Sequence, residues 1–114
     1  SFAHAPEWFT TAPIESINYI LKEQQMKIKD IDQLELNEAF SVVPLIAQKK
    51  LGLSSEQLNP FGGAVSIGHP IGASGARILV SLINGLKQKH GKYGLASLCI
   101  GGGEASTILI ENLV

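Results

Sequence analysis

Gly62-Gly63-Ala64-Val65-Ser66-Ile67-Gly68-His69-Pro70-Ile71-Gly72-Ala73-Ser74-Gly75 is the stretch of this chain that says most about its fold. The mostly apolar segment Ala64–Ile67 predicts a short strand, and the glycine after it predicts the end of that strand. A helix is predicted next, at 75–89, because five apolar residues recur there at the spacing of one helix face: Ile78, Leu79, Leu82, Ile83 and Leu86. A strand followed by a helix is typical of α/β domains, which commonly bind ligands where their strands end.

The flanking segments continue this alternation of helix and strand. Helices are predicted at 13–26 and 40–51, a further helical turn at 54–57, and strands at 34–37, 93–100 and 105–111. The last two strands are joined across Gly101-Gly102-Gly103, which indicates a hairpin or two neighbouring strands. Together these elements predict one α/β domain in which helices cover a mixed β-sheet.

The composition is that of an ordinary globular domain, with 45% hydrophobic and 17% charged residues among 114. A formal net charge of −1, without basic patches, gives no indication of a nucleic-acid partner. Three histidines and one cysteine occur without paired ligand spacing, and a metal site is therefore not predicted.

Three further features bear on the cellular setting. The chain has no run of 18 apolar residues, so a membrane span is not predicted. One cysteine cannot form an internal disulfide, and it fits a reducing compartment such as the cytoplasm. The chain begins Ser1-Phe2-Ala3-His4, with neither an initiator methionine nor a signal peptide, which indicates a fragment or a processed piece.

His69 is the first candidate catalytic residue, since it lies between the predicted strand and the predicted helix, with Gly68 before it and Pro70 after it. Pro70 restricts the backbone of His69 to an extended conformation, which would direct the imidazole away from the helix. A histidine that is hydrogen-bonded to structure is the alternative. The surrounding glycines favour an imidazole that a substrate can reach.

Cys99 is the second candidate, on a strand face that it shares with Leu95, Ser97 and Gly101. A lone cysteine in an apolar strand is most often a small buried hydrophobe, but the three glycines that follow would let the backbone present N–H groups nearby. A thiol, with a reference pKa of about 8.5, can exchange protons near neutrality when a neighbour assists. The residues alone leave acid–base and nucleophilic use of Cys99 both open.

Asn37 and Glu38 form a polar pair between a predicted strand and a predicted helix. Asn37 could cap that helix or hold a water molecule. Glu38 could be a first-turn carboxylate favoured by the helix dipole, or a hydrogen-bond partner inside a site. The spacing of the two residues leaves these alternatives open.

Three segments together resemble the C-terminal domain of thiolases: Asn37-Glu38-Ala39-Phe40, the 62–75 stretch with its Gly68-His69-Pro70, and Cys99-Ile100-Gly101-Gly102-Gly103. They occur in family order and spacing, the resemblance covers nearly all of residues 1–114, and within the family it is closest to acetyl-CoA acetyltransferases. It implies a thiolase-like C-terminal half, with a mixed β-sheet and α-helices on both of its faces. Ser1-Phe2-Ala3 would be the tail of a first central strand that is otherwise missing.

The family reaction is the reversible Claisen condensation of two acyl-CoA thioesters, so the coenzyme A thioester is a substrate and no cofactor is implied. By this resemblance, His69 would activate a nucleophilic cysteine of an N-terminal domain and donate a hydrogen bond to a thioester oxygen. Asn37 would hold the water that completes this oxyanion hole. Cys99 would remove the α-proton of acetyl-CoA and return a proton in the reverse direction. The backbone N–H of Gly101 would contribute to a second oxyanion hole.

The resemblance also has implications for partners and for the limits of the chain. Ala39 and Phe40 would line the pantetheine channel, and the chain alone would be inactive, because the N-terminal thiolase domain carries the nucleophilic cysteine. Family members assemble as homo-oligomers.

Two alternative functions remain: a 3-ketoacyl-CoA thiolase of fatty-acid β-oxidation and a non-catalytic assembly module. An acyltransferase that condenses onto acyl carrier protein would usually pair two histidines, so Cys99 argues against it. Phe61 replaces a small polar residue that is usual in the family.

Overall fold

The computed structural model describes residues 1–113. Its helices and strands follow one another in this order: β1 (Phe2–Ala3), α1 (Ala12–Glu23), β2 (Gln33–Leu36), α2 (Val42–Leu51), α3 (Ala64–Ile67), α4 (Ser74–Lys89), β3 (Tyr93–Ile100) and β4 (Glu104–Glu111). Short 3-10 turns lie at Pro6–Trp8 and Ile28–Asp30. Within the described residues, no helix combines the length and the apolar character needed to cross a membrane.

The strands form one mixed sheet in the order β1-β4-β3-β2, which confirms the predicted sheet type. β2 runs parallel to β3, while β4 is antiparallel to both β3 and β1. Because β2 and β3 are parallel, their carboxyl ends lie at the same edge of the sheet, and Asn37 and Cys99 are both found there. Among the described residues β1 is an edge strand; a central position for it in a larger sheet stays a prediction.

Helices cover both faces of the sheet, as predicted. On one face α1 and α2 pack against the strands, with a core that includes Ile17, Leu34, Leu36, Val43 and Leu95. On the other face α4 packs through Ile78, Leu82 and Leu86, with Ala96 of β3 beneath them. Successive residues of a strand point to opposite faces, so Leu95 and Ala96 serve different cores.

α4 is the longest helix, and it confirms the predicted helix to within one residue. It approaches the sheet closely because β3 carries glycine at position 94, where a Cβ atom would lie only 2.7 Å from Leu82 Cδ1. The helix ends at His90, which adopts a left-handed φ of 53°. α4 therefore begins at the carboxyl edge of the sheet, next to the candidate catalytic residues.

Two predicted elements differ from the structure. The predicted strand at Ala64–Ile67 is wrong: these residues form the single helical turn α3, which Gly68 closes through a 2.8 Å bond from its N–H to the carbonyl of Ala64. A four-residue segment with three apolar residues is compatible with either structure. α1 ends before the predicted boundary at 26, because Gln25 adopts a left-handed φ of 54° and Met26 N–H bonds to the carbonyl of Leu21.

The predicted turn at 54–57 is present as a hydrogen-bonded turn. The N–H groups of Gln57 and Leu58 both bond to the carbonyl of Ser54, at 3.2 and 3.1 Å. The Gln57 side chain also accepts a hydrogen bond from the Ser54 N–H, which is one half of a capping box.

Glu35 of β2 is a buried acid beneath α4, with only 1% of its surface exposed. Its carboxylate accepts a hydrogen bond from Gln33 Nε2 at 2.9 Å. Burial raises the pKa of Glu35 to about 7, against the smaller opposing effects of the Gln33 bond and the Arg77 charge. The folded chain therefore holds this proton over a pH range in which the unfolded chain has released it.

We expect this proton to make the stability of the chain depend on pH. The stabilisation is complete below the ordinary pKa of 4.5 and is lost as the pH rises toward about 7. The full loss is on the order of 3 kcal/mol. Glu35→Gln keeps an acceptor for Gln33 but cannot titrate, so the free energy of unfolding of this variant should not fall between these two pH values.

Urea unfolding below pH 4.5 and above pH 7 measures the free energy of unfolding of the parent and of the variant. Glu15→Gln, at an exposed position, is the control for the loss of one charge. Equal pH slopes for Glu35→Gln and the parent would contradict the expectation.

Candidate active site

A cavity of about 570 Å³ opens at the carboxyl edge of β2 and β3. Five of the six predicted site residues line it: Ala39, Phe40, His69, Cys99 and Gly101. The sixth, Asn37, is fully buried beside His69. The structure thus brings together residues from the end of β2, the loop before α4, and the end of β3.

A larger groove of about 800 Å³ lies at the opposite ends of β2 and β3, but charged groups within it bond to the backbone and to one another. Its Asp32 carboxylate accepts bonds from the backbone N–H groups of Lys92 and Tyr93, at 2.7 and 2.9 Å, and thereby fixes the start of β3. Lys92 forms an exposed ion pair with Glu111 at 3.3 Å. We therefore place the candidate active site at the carboxyl edge, where the imidazole and the thiol line one cavity.

His69 is held by the first residue of α4. Its Nδ1 lies 2.6 Å from the hydroxyl oxygen of Ser74, which has no exposed surface. The same hydroxyl is 3.2 Å from the carbonyl oxygen of Pro70. The serine contact fixes the plane of the imidazole and leaves Nε2 as the ring nitrogen without that contact.

The loop that carries His69 is attached to the sheet by Glu38. Its carboxylate accepts a hydrogen bond from Asn59 Nδ2 at 3.1 Å and from the backbone N–H of Val65 at 2.8 Å. Asn59 also exchanges two 2.8 Å bonds with the backbone of Leu36, as a neighbouring strand would. A Cβ atom at position 63 would lie 2.7 Å from the Glu38 carboxylate, so a larger residue there would displace the carboxylate from these bonds. Of the two roles left open for Glu38, the structure supports a hydrogen-bond partner that organises the site.

Asn37 connects the sheet, the imidazole and α4. Its backbone N–H bonds to the carbonyl of Ser97 at 2.9 Å, which prolongs the pairing of β2 with β3. Its side-chain Nδ2 is 3.4 Å from both ring nitrogens of His69, and its Oδ1 accepts a 3.1 Å bond from Arg77 Nη2. A helix-capping role for Asn37 is wrong, because α2 begins only at Val42.

Cys99 is half-buried near the end of β3, opposite Ala105 of β4. Burial raises the pKa of the Cys99 thiol, against a smaller opposing effect of a backbone hydrogen bond. A thiol of this kind is mostly protonated near neutrality, and its thiolate, once formed, is a strong base. These properties suit proton exchange with a carbon acid.

Gly101 opens the turn that joins β3 to β4. Its N–H makes no backbone hydrogen bond with any other described residue, although it lies two residues from the thiol. The turn is closed by the N–H of Gly103 on the carbonyl of Ile100 at 3.1 Å. Gly103 has a φ of 99°, and a Cβ atom there would collide with the carbonyl of His4, so this position requires glycine. Gly101 itself lines the cavity, so an N–H without a backbone partner lies beside space that a ligand can fill.

Two phenylalanines form an apolar wall of the cavity. Phe40 packs edge-to-face on Phe9 with ring centroids 5.9 Å apart, and more than half of its surface remains exposed. Phe61, the departure from the family pattern, does not line this cavity. Its ring is exposed and lies under the ammonium of Lys89, which is 5.8 Å from the ring centre. The substitution is accommodated at the surface.

The sequence interpretation missed Ser74 and Arg77. Ser74 lies five residues after His69, within the same glycine-rich segment at 62–75. A serine this close in sequence to a candidate histidine was a signal that could have indicated the contact. Arg77 is forty residues from Asn37, and its charged side chain resembles any other polar residue of an amphipathic helix. No local pattern indicates that contact.

Comparisons with known proteins identify the family of this chain. Residues 1–112 match the thiolase C-terminal domain family. The chain is 55% identical over 109 residues to acetyl-CoA acetyltransferase 1 of Arabidopsis thaliana, covering 96% of this chain. The crystal structure of Acat5 thiolase from Ascaris suum in complex with coenzyme A superposes with a TM-score of 0.93 at 45% identity, over 98% of this chain. Human mitochondrial 3-ketoacyl-CoA thiolase also superposes with a TM-score of 0.93, at 36% identity over the whole chain.

The chain matches only part of the length of these relatives. This chain spans 26% of the Arabidopsis protein and 29% of each of the two solved chains. The residues that match include the whole cavity described above. The chain belongs to the thiolase family and corresponds to the C-terminal domain of thiolases.

Proposed function

We propose that this chain is the C-terminal catalytic half of an acetyl-CoA C-acetyltransferase, which condenses two acetyl-CoA molecules reversibly to acetoacetyl-CoA and CoA. The observation that carries the proposal is the convergence of an imidazole, a thiol and a free backbone N–H, those of His69, Cys99 and Gly101, on one cavity. Coenzyme A in this scheme is part of the substrate, so the site needs no resident cofactor.

The first half-reaction transfers an acetyl group to a cysteine of the N-terminal domain. His69 takes the proton from that cysteine, the sulfur attacks the thioester carbonyl, and the C–S bond to CoA breaks. The proton then passes from His69 to the leaving CoA sulfur. The contact between Nδ1 and Ser74 supports this role, because it holds the ring and leaves Nε2 for proton exchange.

The second half-reaction forms the carbon–carbon bond. The thiolate of Cys99 removes the α-proton of a second acetyl-CoA, and the enolate carbon attacks the acetyl group on the N-terminal cysteine. The C–S bond to that cysteine breaks, and the proton on Cys99 passes to the released thiolate. The raised pKa of Cys99 makes its thiolate a stronger base toward a weakly acidic C–H, while it lowers the fraction of thiolate near neutrality.

Negative charge on the thioester oxygens needs donors placed in advance. His69, with a water held by Asn37, would stabilise the enolate oxygen, and Gly101 N–H would stabilise the tetrahedral oxyanion on the acetylated cysteine. One such donor lowers the activation free energy by roughly 3 kcal/mol. The unbonded N–H of Gly101 and the orientation of Asn37 Nδ2 toward His69 support these roles.

The substrate, partners and setting are parts of the same proposal. The exposed aromatic surface of Phe40, beside Ala39, suits the apolar stem of pantetheine. We propose acetyl-CoA as the substrate, and not a longer 3-ketoacyl-CoA, since the chain is 55% identical to an acetyl-CoA acetyltransferase and 36% identical to a 3-ketoacyl-CoA thiolase. The chain would act with an N-terminal thiolase domain, in a cytoplasmic homo-oligomer that serves fatty-acid metabolism.

The experiment is complementation of the purified chain. Alone it should show no cleavage of acetoacetyl-CoA, because the acyl-carrying cysteine lies outside it; joined to an N-terminal thiolase portion, it should show sustained cleavage that needs free CoA. The assay follows loss of acetoacetyl-CoA absorbance. Turnover by the isolated chain would refute the division of labour, and a folded but inactive assembly would favour the non-catalytic module instead.

A further inference from the structure

The guanidinium of Arg77 is a polar group at the site to which the proposed chemistry assigns no task. Its Nη2 donates to Asn37 Oδ1 over 3.1 Å. Its Nε is buried and has no hydrogen-bond partner among the described residues. The bond to Asn37 is thus the contact through which this side chain can act on the site.

The contact decides which end of the Asn37 amide faces the imidazole. The oxygen and nitrogen ends of an asparagine side chain have almost the same shape, so either could point toward His69. A guanidinium has five donors and no acceptor. Arg77 therefore binds the oxygen end and turns Nδ2 toward His69, where it lies 3.4 Å from both ring nitrogens. The reversed amide would turn its N–H groups toward the N–H donors of Arg77, at a side chain that has no exposed surface.

The charge of Arg77 has a second neighbour, Glu35, but that residue is not its hydrogen-bond partner. The Glu35 carboxylate bonds to Gln33 Nε2, and its interaction with Arg77 is electrostatic. Glu38 is also near Glu35, yet its oxygens are used by Asn59 and by the Val65 N–H. The guanidinium is therefore aimed at the amide and not at either carboxylate.

We propose that Arg77 is a positioning residue that fixes the orientation of the Asn37 amide, and this role rests on the proposed function. An enolate oxygen only accepts hydrogen bonds, so a water between it and Asn37 must donate toward the oxygen. A water that accepts a hydrogen bond from Asn37 keeps both of its own hydrogens for acceptors such as that oxygen, whereas a water that donates to Asn37 keeps only one. Only the orientation imposed by Arg77 presents a donor to it.

A double-mutant cycle on the complemented chain tests the assignment. Arg77→Met and Asn37→Ala should each lower kcat for acetoacetyl-CoA cleavage about tenfold, with KM changed less than about twofold, since both disturb placement and not ground-state binding. The double variant should be no slower than Asn37→Ala, because Arg77 acts only through that amide. Lys87→Met, which removes an exposed cation from the same helix, should keep the parental kcat.

Conservative replacement supplies an independent readout. The contact uses one N–H, so Arg77→Lys, which also donates without accepting, should keep kcat within about threefold of the parent. Arg77→Gln has both a donor and an acceptor end and does not impose an orientation; it should lose about as much as Arg77→Met. If the methionine variant does not fold, the glutamine variant takes its place in the cycle.

The outcomes separate this role from the function on which it rests. Losses that multiply in the double variant, or a lysine variant as slow as the methionine variant, would overturn the assignment of Arg77 and leave the proposed function standing. Absence of turnover in the folded, complemented parent would overturn both. Coupled losses together with recovery by lysine support the assignment.

Discussion

Cys99→Ser is expected to lower kcat for condensation and cleavage by about a thousandfold, within the range for loss of a positioned acid–base group. Serine preserves the size and the half-buried position of the side chain at the end of β3. A hydroxyl, however, is a far weaker acid than a thiol and cannot supply an anionic base near neutrality. KM for the thioester should change little, since the cavity walls and the backbone N–H of Gly101 remain.

The same variant carries its own control, because the first half-reaction does not use Cys99. Mixed with acetyl-CoA, the complemented Cys99→Ser chain should still release one equivalent of CoA per site in a burst, as the N-terminal cysteine becomes acetylated. Rapid-quench measurement of free CoA thus separates acyl transfer from proton removal. Loss of the burst together with turnover would contradict an acid–base role and indicate that the thiol takes part in acyl transfer itself.

The parts of the fold that follow from local pattern could be predicted. α4 repeats apolar residues on one face, and β3 and β4 are long β-rich runs around a glycine turn, so each segment contains the signal for its own structure. α3 does not: a four-residue segment with three apolar residues fits a strand or a helical turn equally well. What decides is the bond from Val65 N–H to Glu38, a residue 27 positions away.

The site divides in the same way. His69 and Cys99 stand out because small residues surround them, and this is a property of the sequence. The roles of Asn37 and Glu38 stayed open because the hydrogen-bond partners of both side chains are distant in the chain: Arg77 for the first, Asn59 for the second. Parallel pairing of β2 with β3 places these side chains at one edge, and no local spacing encodes that pairing. The family resemblance, not the spacing, supplied the expected roles.

The second large effect is expected for His69→Asn, which should lose both half-reactions. Without the imidazole nothing at the site removes the proton from the N-terminal cysteine or returns it to the CoA sulfur, and a donor to the thioester oxygen is lost as well. We expect kcat for cleavage to fall by about a thousandfold or more, from general-base and oxyanion contributions combined. Unlike the Cys99 variant, this one should also lack the burst of CoA.

His90→Asn provides the matched control, since His90 is exposed at the end of α4 and asparagine tolerates its left-handed backbone. It should keep both the burst and the turnover of the parent. The two variants differ in one respect that matters: His69 is bonded to Ser74 and lines the cavity, whereas His90 only ends a helix. A normal burst in His69→Asn would show that another group activates the nucleophile, and His69 would then act only as a hydrogen-bond donor to the thioester oxygen.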